Sequence, residues 1–285
     1  MSVRRWSATL ALLLTTAVGC ATPKTAASPE RPNITAVPEP GVEARRLTVP
    51  FDVYAFSPAD TMTVESAEAL LVRDCMRGQG MTVEVPPLPV EADSEPPNRR
   101  RYGVIEPRIA DLFGYHVPPD GPSVVAYKDR TNAQDKGLSP KARDAEKGCS
   151  QKAQDRLSAG TPKVDDSLFN QLIFKTFDDS QHDGQVVQVF RSWSGCMAGA
   201  GFHYADPLAA ITDDRWSTDK PSPQEIRAAQ ADVRCKAKTG LVATWAAVEQ
   251  RIQSAAIRAH AKDFQALKAN KDRQLAAARR VIARG

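Results

Sequence analysis

Apolar residues recur along this chain at helical spacing, punctuated by glycine and proline. Val64, Ala67, Leu71 and Cys75 fall on one face of a helix, and Val186, Val189, Phe190, Trp193 and Met197 do the same further on. Both stretches end in the same pattern. Cys75-Met76-Arg77-Gly78-Gln79-Gly80-Met81 aligns with Cys196-Met197-Ala198-Gly199-Ala200-Gly201-Phe202, a Cys-Met-x-Gly-x-Gly-apolar repeat. Glycine stops a helix there because it takes positive φ at the C′ position without a Cβ clash. A short extended piece follows each stop, at 82–85 and 202–204.

The second halves of the two units correspond as well. Ser139-Pro140 precedes a helical stretch carrying Cys149, and Ser222-Pro223 precedes one carrying Cys235. Serine as N-cap with proline at N1 starts a helix, and Glu225 at N3 completes a capping box. Each unit therefore reads as helix, cysteine, glycine stop, intervening segment, Ser-Pro cap, helix, cysteine. Of the three connectivities that four cysteines allow, the repeat selects Cys75 with Cys149 and Cys196 with Cys235. Their wide separation argues against a zinc site, whose ligands come in close pairs. The Gly-x-Gly follows a helix and lacks a completing Gly-Lys, so a phosphate loop is not expected.

The first unit has the longer insert. Residues 86–97 are proline-rich and acidic, an exposed loop. Arg99-Arg100-Arg101-Tyr102-Gly103 then leads to a short helix opened by Pro107 and stopped by Gly114, with Ile109, Leu112 and Phe113 inward. Asp206-Pro207 begins a shorter equivalent in the second unit. Residues 121–137 are polar and expected to form a loop. Val164, Leu168, Leu172 and Ile173 suggest one more amphipathic helix between the units. After Gly240, Leu241, Trp245, Val248 and Ile252 form a clean stripe; Ile257, Ala261, Phe264, Leu275, Ala278 and Ile282 continue it on a shifted face. The expected architecture is mainly α, with two unequal helix–disulfide units (49–160 and 161–240) and a long basic C-terminal helix (241–285).

The N-terminus changes the picture by giving an address. Met1-Ser2-Val3-Arg4-Arg5-Trp6 is a short basic start, and the apolar run from 8 to 18 is too short to span a bilayer, which needs roughly 20 helical residues. It fits a secretory signal over 1–19, and Ala17-Val18-Gly19-Cys20 reads as a lipobox. Cys20 would supply the thiol that accepts diacylglycerol, and several acyl chains on one residue anchor firmly. The cysteine count agrees. Reserving one of the 5 cysteines for lipid leaves Cys75, Cys149, Cys196 and Cys235, an even set in a disulfide-permissive compartment. Residues 20–48, rich in Pro, Ala, Thr and Glu, read as a disordered tether with a reach of roughly 30 Å.

Charge is modest. The chain is +4, and removing the signal with its two arginines leaves +2, which gives no reason to expect nucleic acid as a partner. The balance is uneven, since 251–284 holds nine Lys/Arg against Asp263 and Asp272, or +7. Two readings stay open for that stretch. One is a solvated helix face; the other is a cationic arm resting on anionic headgroups or wall polymers.

Candidate chemistry is sparse. His116, His182, His203 and His260 show no metal spacing, and no nucleophile elbow is present, so neither cofactor nor metal is expected. The acidic pairs Asp165-Asp166, Asp178-Asp179 and Asp213-Asp214 fall in polar breaks, where capping explains them. Trp193, Phe202, Tyr204, Trp216 and Trp245 read as core. His203, Tyr204 and Trp216 form the one weak candidate for a binding surface.

The run Trp193, Cys196-Met197, Gly201-Phe202, Tyr204 and Asp206-Pro207, with Ala231-Asp232-Val233, Cys235-Lys236, Thr239-Gly240-Leu241 and Trp245, resembles a group of secreted actinobacterial lipoproteins of the Streptomyces sort. Arg101-Tyr102-Gly103 and Gly114-Tyr115-His116 fit the same resemblance, which covers most of the mature chain. It implies a helical, disulfide-linked envelope protein and brings no catalytic residues. The expected function is a non-enzymatic binding or scaffolding module, held to the membrane by lipid, with an envelope protein or wall polymer as partner. The alternative is a cell-wall hydrolase with an unfamiliar active site.

Overall fold

In the computed structural model, which describes residues 37–90, 93, 95–161 and 165–284, proline opens helix after helix. The described residues form eleven α-helices: α1 (Val42–Arg46), α2 (Pro58–Arg77), α3 (Pro107–Phe113), α4 (Pro122–Gly137), α5 (Pro140–Leu157), α6 (Ser167–His182), α7 (Gly184–Gly199), α8 (Pro207–Ile211), α9 (Pro223–Thr239), α10 (Leu241–Ala259) and α11 (Ala261–Ile282). No strand occurs among them. α2, α3, α4, α5, α8 and α9 each begin on proline, whose fixed φ suits the first helical position and whose missing N–H is not needed there. Ser222 and Glu225 close the expected capping box on α9, and Ser57 with Asp60 closes another on α2. The expected signal peptide, Cys20 and Val164 lie outside the described residues.

The repeated glycine stops prove to be one device used twice. Met81 N–H donates to the Met76 carbonyl at 3.0 Å and Gly80 N–H to that of Arg77 at 3.0 Å. Phe202 and Gly201 make the same bonds to Met197 and Ala198, each at 3.0 Å. This is the Schellman arrangement, and it needs the second glycine of each pair at positive φ, +74° at Gly80 and +85° at Gly201. Met76 and Met197 are both fully buried behind their caps.

Both expected disulfides are present, Cys75–Cys149 and Cys196–Cys235, each with Cα atoms 5.7 Å apart. With the partners 74 and 39 positions apart in the sequence, each restricts the unfolded chain by roughly 4 kcal/mol on a loop-entropy basis.

The packing departs from the order along the chain. One core gathers Ala67, Leu71, Val72 and Met76 of α2 with Cys149, Ala153 and Leu157 of α5, and its third wall is Ala278 of α11. The apolar stripe of α2 is wider than α5 alone covers, so the end of the chain folds back to complete the first unit. The larger core combines α7, α9 and α10 with Tyr102, Val104, Ile105, Ile109, Ala110, Phe113 and Tyr115, all from the insert of the first unit. Phe51, Phe169 and Phe264 make a third, smaller cluster joining an N-terminal turn to α6 and α11.

Three expectations need correction, and the long C-terminal helix, which is present, needs refinement. Residues 121–137 are not a loop but α4, a helix with no fully buried residue; Pro122 starts it, and Ser123, Val124, Tyr127, Thr131 and Gln134 are half-buried along one side while the rest faces water. The tether does not run to 48, because Ala44 of α1 is buried in the larger core, Gly41 N–H donates to Glu106 at 2.7 Å and Arg99 donates to the Pro38 carbonyl at 3.0 Å. The C-terminal helix is jointed at His260, whose φ of −119° and ψ of 36° break the ladder. That joint accounts for the shifted face of the apolar stripe. Asp178 and Asp179 lie inside α6 rather than in a break, and Asp179 pairs with Lys175 at 2.7 Å.

Candidate functional site

His203, Tyr204 and Trp216 come together only in part. The loop after α7 carries Tyr204 into the larger core while leaving His203 exposed, and a 3-10 turn at Asp214–Trp216 turns the indole inward. Trp216 Nε1 donates to the Ala210 carbonyl at 2.8 Å. The Tyr204 hydroxyl donates to Asp213 at 2.8 Å and accepts from Arg215 at 2.9 Å; Arg215 also chelates Asp213 and lies 5.0 Å from the Trp216 ring centroid. Burial and the Asp213 carboxylate push Tyr204 up to about 12, while the Arg215 guanidinium holds Asp213 well below the usual carboxylate range. Tyr204 is thus a neutral donor and Asp213 a fixed anion. Only His203 and the outer edge of Arg215 are open to a partner.

The strongest electrostatics lie deeper, around Glu249, which sequence reasoning did not single out, and around Glu225, Asp232 and Lys236, which it marked only as a cap or within the family resemblance. Glu249 of α10 is wholly buried and receives the Arg101 guanidinium, the Tyr102 hydroxyl at 2.8 Å and the Gln253 amide at 2.8 Å. Gln253 in turn accepts from Phe51 N–H at 3.0 Å. Glu225 of α9, also wholly buried, accepts from Tyr115 N–H at 2.8 Å, His116 N–H at 3.2 Å and the His116 ring at 2.7 Å. Asp232 and Lys236, one turn apart on α9, pair at 2.8 Å with both side chains buried. Trp193 Nε1 donates to Asp232 at 2.9 Å, and Lys236 donates to the Val104 carbonyl at 3.0 Å. Burial pushes the carboxyl up and the ammonium down, against their mutual attraction.

Local backbone makes these contacts possible. Gly103 at φ +80° lets the chain pass against Lys236, whose Nζ would lie 2.8 Å from an added Cβ. Gly114 at φ +57° does the same against Glu225. Arg101-Tyr102-Gly103 and Gly114-Tyr115-His116 are therefore the segments that dock the insert onto α9 and α10. A signal for the acceptors was present: Glu249 and Gln253 follow Trp245 at steps of four, which puts polar residues on an apolar stripe.

Of the recesses that open on the surface of the described residues, two are rich in carboxylates. One, of about 350 Å³, is walled by 37–40, 93, 95, 99 and 117–122, and its carboxylates are engaged: Glu39 with Arg45, Asp93 with Ser123 N–H and Asp120 with Lys128. The other, of about 200 Å³ between α2, α4 and α5, is lined by Glu65, Glu68, Glu84, Asp135 and Glu146 around Tyr127. Burial together with Glu68 raises Glu65, and burial together with Asp135 raises Glu146, as expected where carboxylates crowd. Among the described residues no three His, Cys, Asp or Glu side chains converge to hold a metal ion, and no helix is long and apolar enough to cross a membrane. No protein-family model, curated protein or solved structure matches this chain.

Proposed function

We propose that this chain is an extracytoplasmic lipoprotein, lipidated on Cys20, whose folded body serves as a non-enzymatic binding or scaffolding module of the cell envelope. The observation that carries the reading is how the interior polar groups are used. Glu225, Glu249 and Asp232 each take more than one donor, at least one of them from a distant part of the chain, so these carboxylates brace segments rather than face a substrate. With two disulfides added, the body is cross-braced for rigidity. Rigid presentation of a surface serves recognition, because little conformational freedom is then lost on binding. Disulfides in turn suit an oxidising compartment outside the cytoplasm.

Amine-reactive crosslinking in intact cells tests this reading. Wild-type protein is expected to give a discrete larger product in the membrane fraction, and Cys20→Ala is expected to lose it. Only uncrosslinked monomer from wild type at native abundance, or turnover of wall fragments by the purified chain, would overturn it.

A further inference from the structure

The basic residues of α11 are not spread around the helix. Phe264, Lys271, Leu275 and Ala278 point into the fold, where Lys271 meets Asp60 at 3.2 Å and the Ala55 carbonyl at 2.7 Å. Lys262, Arg273 and Arg280 follow one another at steps of 11 and 7, which places them along the opposite side of the same helix, and Arg284 lies in the turn just past its end. All four are exposed, and none joins an ion pair among the described residues. Half-buried Ala266, Ala269 and Ala276 lie between them, while Ala277 packs against the core shared with α2 and α5. The acids of this helix lie at the flanks and are engaged, Asp272 with Lys268 at 2.7 Å and Asp263 near His260 at 3.9 Å. The outcome is a low, straight cationic strip about 33 Å long, since 22 residues rise 1.5 Å each.

We propose that this strip is a docking face for the surface of an anionic bilayer. Sequence left a loose cationic arm open as a possibility; the packing of α11 on α2 and α5 fixes the helix as a wall of the body, with its charge turned outward. The small alanines let the helix lie flat on headgroups, and the strip itself carries no large apolar wedge, so binding is electrostatic and superficial. The bilayer is the partner because of proximity, and here the inference rests on lipidation of Cys20. Even fully extended, the 17 residue steps from Cys20 to Val37 span at most about 60 Å, so an anchor at Cys20 would keep the body within that distance of the membrane. Weak attraction then suffices to orient the body.

The test uses the unlipidated mature chain from residue 21, so that the strip alone is read. It is sedimented with vesicles of phosphatidylcholine containing 30 mol% phosphatidylglycerol, and with phosphatidylcholine alone. Binding is expected only to the anionic vesicles and is expected to vanish at high salt. Arg273→Gln with Arg280→Gln and Arg284→Gln is expected to weaken partitioning at least tenfold. Arg108→Gln with Arg191→Gln and Arg227→Gln, the same loss of charge at exposed sites elsewhere, is expected to change it less than twofold. Equal losses in the two triple variants, no anionic preference in wild type, or tighter capture by a soluble phosphodiester polymer than by vesicles would each overturn the proposal. Acylation of Cys20 is read separately by mass, so failure of the strip and failure of the anchor are distinguishable.

Discussion

His116 donates from both ring nitrogens, to Oε1 of Glu225 at 2.7 Å and to the carbonyl oxygen of Thr218 at 2.6 Å. Both partners are acceptors, so the ring is held as an imidazolium. It clamps the insert to the loop that precedes α9. Burial works against the charge, but the Thr218 carbonyl and the Glu225 carboxylate outweigh it and raise the pKa.

A pH dependence follows. A group whose folded pKa is raised contributes stability that is complete below its unfolded value, about 6.5 for histidine, and is lost as pH rises through the folded value. Thermal melts are expected to show stability falling from near pH 6.5 upward. His116→Gln removes that slope and costs about 1–3 kcal/mol below it, as for a hydrogen bond to a charged group. An unchanged slope in the variant would assign the pH dependence elsewhere.

Gly114 and Gly148 are expected to respond oppositely to alanine. At Gly114 the new Cβ falls 2.7 Å from Glu225 Oε1 at a φ of +57°, so strain and overlap destabilise by about 2 kcal/mol or more. Gly148 lies inside α5 with nothing within 4 Å of an added Cβ, and alanine there stabilises by about 0.5–1 kcal/mol. Urea midpoints moving in the same direction for both would refute the docking geometry at Glu225.

The Asp232–Lys236 pair gives a non-additive expectation. Lys236→Met alone leaves a buried acid without its partner and costs about 3–5 kcal/mol. Adding Asp232→Asn, which keeps an acceptor for Trp193 Nε1, should recover part of that loss, on the order of 1–4 kcal/mol. Chemical denaturation of the two single variants and the double checks this. Simple additivity would contradict a coupled pair.

The local grammar of this fold was legible because short-range chemistry sets it. Ser222-Pro223-Gln224-Glu225 specifies a helix start from four residues, and Cys-Met-x-Gly-x-Gly a helix end from six. The pairing of cysteines followed from that repeat. What stayed hidden was long-range. Nothing near Leu71 says that Ala278 will cover it, and nothing near Tyr102 says that its hydroxyl will meet Glu249, 147 residues away. α4 was missed because its apolar residues sit together at its start, Val124 to Tyr127, and leave no apolar period to detect. At the weak candidate surface, Tyr204 and Trp216 were rightly placed near one another in the core, but Asp213 and Arg215, which occupy the phenol, showed themselves only once the chain had turned at Asp214–Trp216.

We propose that the body is held at a membrane through Cys20. Mass spectrometry of the N-terminal peptide from natively produced protein tests it most directly. The account expects a mature chain beginning at Cys20 with diacylglycerol on its sulfur, recovered from the membrane fraction. An unmodified Cys20, or a mature N-terminus at another residue in a soluble fraction, would contradict it.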